Sequence, residues 1–147
     1  MFKHVLVPTD GSDLSNEAVS KAVQFARESG AALTVLHVMP EYLPPAFAEF
    51  PVAGASTFDE FTKATEETSR VALENARKQA ADAGVNCNVV AARHAQPYRT
   101  IIDTAREKGC DLIFMSSHGR RGLSALVLGS ETNKVLTHST IPVLVFR

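Results

Sequence analysis

The sequence has no tryptophan, two cysteines and no long uninterrupted apolar run. A membrane-spanning helix needs about 20 consecutive apolar residues, so we expect no membrane span. Cys87 and Cys110 lack the spacing of metal ligands and the histidines are scattered, so we expect two small buried thiols and no metal site. The formal net charge of −1 excludes the basic surface that general nucleic-acid binding requires.

The motifs of several enzyme classes are also missing. No G-x-x-x-x-G-K-[ST] pattern is present, which excludes the P-loop arrangement for nucleotide hydrolysis. No G-x-G-x-x-G follows the first apolar run, and there is no G-x-S-x-G nucleophile elbow. Arg93 and His94 stand where a response-regulator receiver domain would place its aspartate. We therefore expect no catalytic residues.

The length and composition are those of one ordinary globular domain. The 147 residues are 45% hydrophobic and 21% charged, which is enough apolar material for a buried core. We expect a single domain over residues 1–147. The first residues run directly into a short strand-like segment without the longer apolar region of a signal peptide, so a cytoplasmic location is expected.

Short apolar runs alternate with helix-like segments along the chain. The predicted strands cover residues 4–7, 32–38, 85–92, 111–116 and 142–146, and the predicted helices cover residues 13–29, 57–83, 97–108 and 130–139. Strands separated by helices of this length form right-handed crossovers in a parallel sheet covered on both faces. The sequence therefore predicts an α/β three-layer sandwich with five parallel strands, in the order 2-1-3-4-5 or 3-2-1-4-5.

Three features predict how the rest of the chain packs. In the last helix, Thr132, Val135 and Leu136 are expected to face inward. Residues 40–55 contain several prolines and are predicted to be irregular, as a lid or part of an interface. Four aromatic side chains are expected to be anchors in the core or at an interface: Phe47, Phe50, Phe58 and Phe61.

In sheets of this kind, ligands bind at the carboxyl ends of the strands where the strand order reverses. The residues expected to line that crevice are Thr9, Asp10, Val38, Met39, Met115 and Ser116. Asp10 has two possible roles. Its carboxylate could accept hydrogen bonds from ribose hydroxyls or help to hold a phosphate-bound metal, or it could form the turn of Asp-Gly-Ser.

The segment Ser116-Ser117-His118-Gly119, followed nine residues later by Gly129-Ser130, is the most informative part of the sequence. Unpaired backbone N–H groups at a helix start attract anions, and small residues let the backbone approach them closely. Arg120 in the intervening loop could clamp phosphates or lie in solvent. His118 could contact a phosphate or shape the loop, and Ser130 is predicted to cap the following helix. Nucleotide binding is the leading hypothesis.

The whole chain resembles a single-domain universal stress protein of the UspA family. The resemblance rests on Val5-Leu6-Val7-Pro8-Thr9-Asp10-Gly11-Ser12, Leu36-His37-Val38, Asp111-Leu112-Ile113-Phe114-Met115, the loop motif and Ile141-Pro142-Val143-Leu144-Val145. It implies an adenine nucleotide alpha hydrolase-like sheet of flavodoxin-like type with the order 3-2-1-4-5. The ATP-binding branch carries G-x2-G-x9-G-[ST], and here Ser116 replaces the first glycine.

The resemblance also implies a binding site for ATP or another adenine nucleotide, with Mg²⁺. Pro8, Thr9 and Asp10 would lie by the ribose and adenine, Val38 would offer its backbone to the adenine, and Met115 would pack nearby. Phosphates would be held by Gly119, Gly129, Ser130 and Thr132. The full set of candidate contacts adds Ser116, His118, Arg120 and Glu131.

Ser116 decides whether that site is retained. If its position requires φ > 0, serine carries a steric cost of about 1 kcal/mol or slightly more. If the position requires only a small side chain, serine fits and its hydroxyl can donate a hydrogen bond. We favour the second alternative because the other phosphate positions are intact.

The expected function is a nucleotide-binding regulatory protein of the stress response, with at most slow or partner-dependent ATPase activity. The alternative is a nucleotide-free dimeric stress or interaction protein, and an adenine-nucleotide hydrolase-like enzyme is a weaker third hypothesis. The resemblance implies a homodimer. Val143, Leu144, Val145 and Phe146 would form an apolar edge strand that pairs with a second copy. A further protein partner is expected, of unknown identity.

Overall fold

The computed structural model describes residues 1–49, 52, 57–118 and 128–147. Within them, five strands alternate with four α-helices, and a short 3-10 turn spans Pro45–Phe47. The elements are β1 His4–Pro8, α1 Asp13–Ser29, β2 Ala32–Met39, α2 Phe58–Asp82, β3 Cys87–Arg93, α3 Pro97–Glu107, β4 Leu112–Ser116, α4 Ser130–His138 and β5 Val143–Phe146. The predicted alternation of strands and helices is confirmed.

The strands form one parallel sheet in the order β3-β2-β1-β4-β5. This confirms the α/β class and the order 3-2-1-4-5, and it excludes the order 2-1-3-4-5. β1 is central, because the chain first winds outward through β2 and β3 and then returns to the other side of β1 through β4 and β5. The strand order therefore reverses between β1 and β4.

Two apolar clusters lie on opposite faces of the sheet and make the sandwich three layers thick. Alternate residues of β1 point to opposite faces, so Val5 and Val7 enter one cluster and Leu6 enters the other. The first cluster packs under α1 and α2, and the second packs under α3 and α4. A sheet covered on both faces explains why β1, β2 and β4 read as nearly continuous apolar runs.

β3 begins at Cys87, two residues later than predicted, because Val85 belongs to the end of α2. The Val85 N–H donates to the Ala80 carbonyl over 2.9 Å, and Gly84 between them has φ 69°. This pairing is the glycine-dependent motif that commonly ends helices. Val85 itself packs against the cluster beneath α2, so its apolar side chain contributes to the helix end and not to the strand.

Two expectations for α4 are wrong. Leu136 is 41% exposed, whereas Thr132 and Val135 are buried. The helix has only nine residues and buries a narrow stripe, and Leu136 lies one position further around it. Ser130 is the first helical residue, and Gly129 takes the cap position.

The aromatic and thiol side chains are also less buried than expected. Phe61 is in the core, but Phe47 and Phe58 are 77% and 61% exposed, which excludes a core role for both. Phe50 lies outside the described residues. Cys110 is buried and Cys87 is half-buried.

Neither thiol has the environment of a reactive cysteine. Burial, with a smaller contribution from the charge of Asp111, raises the pKa of Cys110 to about 11. Burial also raises the pKa of Cys87. Both thiols are therefore protonated at neutral pH, whereas thiolates are the reactive form. Among the helices that the structure describes, none is long and apolar enough to cross a membrane.

Candidate functional site

The crevice lies where β1 and β4 separate. β1 is paired with β2 as far as Pro8 opposite Leu36, but its pairing with β4 includes only Val5 and Leu6. The last residues of β1 and β4 therefore diverge at the carboxyl edge of the sheet. This is also the point at which the strand order reverses, which is where open α/β sheets bind ligands.

Val38 directs its backbone toward this crevice. The Thr9 N–H donates to the Leu36 carbonyl over 2.8 Å, so the Leu36 carbonyl points to the β1 side. Alternate residues of a strand repeat the same direction, and the N–H and C=O of Val38 therefore also point to that side, beyond Pro8. The carbonyl of Met39 points the other way and accepts from the His94 N–H at 3.0 Å.

The turn after β1 is held by its own side chains. Asp10 Oδ1 accepts from the Ser12 N–H at 2.9 Å, and the Asp10 N–H donates to Ser15 Oγ over 3.1 Å. Thr9 Oγ1 accepts from Ser15 Oγ at 3.1 Å and from the Gly11 N–H at 3.2 Å. Of the two roles considered for Asp10, the structure shows the one in which its carboxylate stabilises the turn. A carboxylate offers about four lone-pair positions, so a contact to ribose is compatible with that role.

Ser116 ends β4 without backbone strain. Among the described residues, positive φ is confined to four glycines, so Ser116 does not adopt the left-handed conformation. Its side chain is buried, and its Oγ donates to the His118 carbonyl over 2.7 Å. The steric cost considered above does not arise in this structure, and the hydroxyl stabilises the turn.

α4 is fixed to the end of β4 by a close backbone approach. The Gly129 N–H donates to the Ser117 carbonyl over 2.7 Å, and the Thr132 hydroxyl donates to the carbonyls of Ser116 at 3.0 Å and Ser117 at 3.3 Å. A Cβ at Gly129 would lie 3.1 Å from the Ser117 carbonyl oxygen and 3.4 Å from His118 Cα. A side chain at position 129 would therefore crowd this backbone contact, although φ of −60° is open to any residue.

The start of α4 has no side-chain cap in the described part of the chain. The first amides of a helix have no partner within it, and here these are the amides of Ser130, Glu131 and Thr132. They also lie at the positive end of the helix dipole. An anion in the crevice could accept hydrogen bonds from them.

The side chain of Glu131 contacts α3 and Lys134. Its Oε2 accepts from the Tyr98 N–H at 2.9 Å, in the first turn of α3, and its Oε1 lies 3.2 Å from Lys134 Nζ. The carboxylate thus caps α3 and pairs with a lysine. If Glu131 contacts a phosphate, the contact is therefore made by its backbone N–H and not by its carboxylate.

His118 is held by its neighbour. Its Nδ1 lies 3.0 Å from Ser117 Oγ, and its buried Nε2 has no hydrogen-bond partner in the described structure. Met115 is buried in the cluster beneath α3 and α4, against which Val38 also packs. Gly119 and Arg120 lie outside the described residues.

Sequence reasoning missed Ser15 and Ser117, which are both buried and hydrogen-bonded in the site. Ser15 could have been found, because a polar residue three positions after an N-cap faces back toward it. No comparable sequence pattern predicts a role for Ser117 in the site. Within the described residues, no cluster of three or more His, Cys, Asp or Glu side chains could hold a metal ion.

The sheet is a doubly wound parallel α/β sheet, and the start of α4, without a side-chain cap among the described residues, lies where the strand order reverses. The chain matches the model of the universal stress protein family over residues 1–147. It is 36% identical over 159 aligned positions to universal stress protein YxiE of Bacillus subtilis, covering 100% of both chains. The chain therefore belongs to the universal stress protein family.

Solved structures agree with this assignment. The structure of MJ0577 of Methanocaldococcus jannaschii matches with a TM-score of 0.80 and 30% identity, over 99% of this chain and 95% of that chain. A crystal structure of a universal stress protein in complex with cAMP matches with a TM-score of 0.72 and 28% identity, over 99% and 97% of the two chains.

Proposed function

We propose that this chain is a regulatory protein of the stress response that binds adenine nucleotides, with ATP as its ligand. The observation that carries the proposal is the start of α4, which has no side-chain cap within the described residues and lies where β1 and β4 diverge. The structurally similar protein in complex with cAMP supports the adenine nucleotide class.

Each part of a nucleotide has a matching group in the crevice. The backbone of Val38 would bind the adenine edge, and Asp10 would accept hydrogen bonds from the ribose, with Pro8 and Thr9 beside it. The phosphates would lie at the amides of Ser130 and Thr132. The absence of a side chain at Gly129 supports this placement, because a Cβ there would press on the turn after β4. Gly119 and Arg120 complete the proposed phosphate contacts.

We propose that Mg²⁺ binds together with the nucleotide, because the phosphate oxygens are ligands for it. The protein's part is to position the nucleotide. The sequence has no P-loop lysine, so hydrolysis is proposed to be slow or dependent on a partner.

Calorimetry on nucleotide-stripped protein tests the proposal, with ATP, AMP, cAMP and GTP, each with and without Mg²⁺. Asp10→Asn is the informative variant, because an asparagine oxygen can still accept from the Ser12 N–H and keep the turn. We expect it to weaken ATP binding while the free energy of unfolding changes little. Asp13→Asn, an acidic residue in the first turn of α1, is the matched control. No binding at millimolar ATP would overturn the proposal.

A second candidate is a nucleotide-free dimeric stress or interaction protein. It is favoured by the internal hydrogen bonds of the Gly129 N–H, the Thr132 hydroxyl and the Glu131 carboxylate, which leave fewer groups for a phosphate. Binding of ATP in the calorimeter would exclude this candidate. Its absence, with an intact fold, would support it.

We also propose that the protein is a homodimer paired through β5. This strand lies at one edge of the sheet, and Leu144 on it is 37% exposed. The Phe146 carbonyl accepts from the N–H of Ser117, directly after β4, so the backbone of Val145 points outward. Val145→Pro should therefore remove an outward N–H and keep the β4–β5 ladder. Light scattering should give twice 15.8 kDa for the wild type and 15.8 kDa for the variant. A monomeric wild type would contradict this proposal.

A further inference from the structure

Arg93, the last residue of β3, joins three separate parts of the chain. Its Nη1 donates to the Pro40 carbonyl over 2.7 Å, directly after β2. Its Nη2 donates to the hydroxyl of Thr65 on α2 over 3.0 Å. Its Cζ lies 5.8 Å from the centre of the Phe61 ring, also on α2. One guanidinium thus links the residue directly after β2 to α2.

The contacts use the shape of arginine more than its charge. The ion pairs present within the described residues are Arg70–Glu67 and Lys134–Glu131, and neither includes Arg93. Within the described residues, Arg93 contacts a carbonyl, a hydroxyl, an aromatic face and the Met39 sulfur at 3.6 Å. A planar fork of donors can reach such partners together, whereas the compact ammonium of lysine cannot.

Aromatic contacts hold the same segment from a second side. The Tyr42 ring lies edge-on to Phe58 at 5.5 Å and to Phe61 at 5.4 Å between ring centres. Such edge-to-face pairs add to the stabilisation that apolar burial gives. We refer to Pro40, Tyr42, Phe58, Phe61 and Arg93 as the clasp.

The clasp lies next to the backbone that faces the crevice. Arg93 pairs in register with Met39, and Val38 pairs with Ala92. Pro40, which Arg93 holds, is two residues after Val38. Arg93 therefore contacts the chain directly after the end of β2, close to the Val38 backbone that extends beyond β1.

We propose that Arg93 is a positioning residue for the adenine side of the nucleotide site. It acts through the clasp on the backbone of Val38 and does not itself contact the ligand. This inference rests on the proposed nucleotide-binding function. Loss of the guanidinium lets the end of β2 move, which weakens binding of the base and speeds nucleotide dissociation.

Two tyrosines and no tryptophan make the clasp directly observable. In a Tyr98→Phe background, Tyr42 is the single fluorescent reporter. Arg93→Met keeps most of the side-chain volume and removes the donors, and Arg93→Lys keeps the charge. The matched control is Arg99→Met, because Arg99 lies over the Tyr98 ring at the same 5.8 Å on α3. Binding of ATP, AMP and tripolyphosphate is measured by calorimetry and stopped flow.

We expect Arg93→Met to raise the Kd for both ATP and AMP about five- to tenfold, mainly through faster dissociation, which is the effect of losing about one hydrogen bond. The Kd for tripolyphosphate should not change, because that ligand has no base. The fluorescence anisotropy of Tyr42 should fall, and Arg93→Lys should restore part of both properties. Arg99→Met should behave as the background protein does.

Two results would overturn the inference. If Arg93→Met releases Tyr42 but leaves the Kd and dissociation rate of ATP unchanged, the clasp is structural only. If tripolyphosphate binding falls as much as ATP binding, Arg93 does not act on the adenine side. Failure of the unmodified protein to bind any nucleotide would overturn the proposed function, and this inference with it.

Discussion

The two helices that begin at the crevice start in opposite ways. α1 has Ser12 as its N-cap, whose hydroxyl accepts from the Ser15 N–H at 3.3 Å. Thr9 and Asp10 bind two further amides of the same turn. α4 begins at Gly129, which has no side chain, and no side-chain cap is present there within the described residues. Both starts lie at the same edge of one sheet.

This difference indicates which helix is suited to an anion. Where the chain supplies its own acceptors, as at α1, a phosphate would have to displace them and would gain little. At α4 no side-chain cap is present within the described residues, so an anion could supply hydrogen bonds to the first amides there. A capping residue at position 129 would place its Cβ 3.1 Å from the Ser117 carbonyl oxygen, so the backbone after β4 would have to shift.

Gly129→Ala should have the largest effect. The new Cβ would lie 3.1 Å from the Ser117 carbonyl oxygen, and this backbone cannot rotate away as a side chain could. We expect a loss of about 1–3 kcal/mol in the free energy of unfolding from overpacking. The affinity for ATP should fall about tenfold or more, or about 1.4 kcal/mol. Urea unfolding and calorimetry measure the two quantities.

Gly84→Ala is the control for this variant. Gly84 has φ 69° and no atom within 4 Å of a new Cβ, so alanine would be strained without a collision. It follows α2, at the far end of the sheet from the crevice. The variant should lose about 1 kcal/mol of stability and keep its affinity for ATP. Equal losses of affinity in both variants would contradict the special role of the α4 start.

Thr132→Val should have the next largest effect on stability and on ATP affinity. The substitution keeps the side-chain shape and removes the hydroxyl that donates to the Ser116 and Ser117 carbonyls. We expect a loss of about 1–2 kcal/mol in stability and a smaller loss of ATP affinity than at Gly129. Thr137→Val is the control, because that hydroxyl makes an exposed hydrogen bond to the Asn133 carbonyl on the same helix. If the two variants behave alike, the fixation of α4 to β4 does not depend on Thr132.

Ser12→Ala tests the start of α1, where the chain supplies its own cap. Removal of an N-cap typically costs about 1 kcal/mol, so the free energy of unfolding should fall by that amount. The affinity for ATP should stay the same, because the α1 amides are not proposed to bind phosphate. Unfolding and calorimetry are again the measurements. A loss of affinity at Ser12 larger than that at Gly129 would reverse the comparison.

Local patterns in the sequence were sufficient to predict the alternation of strands and helices, because periodicity and turn residues are local properties. They left two strand orders open, and the family resemblance indicated the order that the structure has. The buried stripe of α1 and the apolar runs of β1, β2 and β4 follow from patterns within a few residues. The end of α2 shows the limit of such patterns, since Val85 looks like the start of a strand and instead completes the helix end.

The candidate site was less predictable, because its hydrogen bonds join residues that are distant in sequence. Thr132 bonds to a carbonyl 16 residues away, and Glu131 bonds to an amide 33 residues away. Both residues became candidates through the family resemblance, and in the structure their side chains form hydrogen bonds within the fold. A motif specifies which backbone is near a ligand, whereas the packing of α3, α4 and β4 determines what each side chain does.

Asp111→Asn should have the smallest effect, at the opposite edge of the sheet. Burial alone would raise the pKa of this carboxyl, but hydrogen bonds from the His4 and Lys3 N–H groups outweigh it and hold the pKa below 3.8. Its stabilisation is therefore complete above that ordinary value and is lost as the pH falls through the lower folded value. Urea midpoints between about pH 3 and pH 7 should decline less steeply in acid for the variant.

Asp103→Asn, an exposed carboxyl on α3, is the control for that experiment, and its acid decline should match the wild type. ATP affinity at neutral pH should be unchanged in both variants. The Asp111 carboxylate binds amides that start β1, as a ligand phosphate is proposed to bind amides that start α4. At one edge of the sheet the chain provides its own anion, and at the other the proposed anion comes from solution. A loss of ATP affinity in Asp111→Asn would mean that the two edges are coupled through β4, and the comparison of the helix starts would then have to include the whole strand.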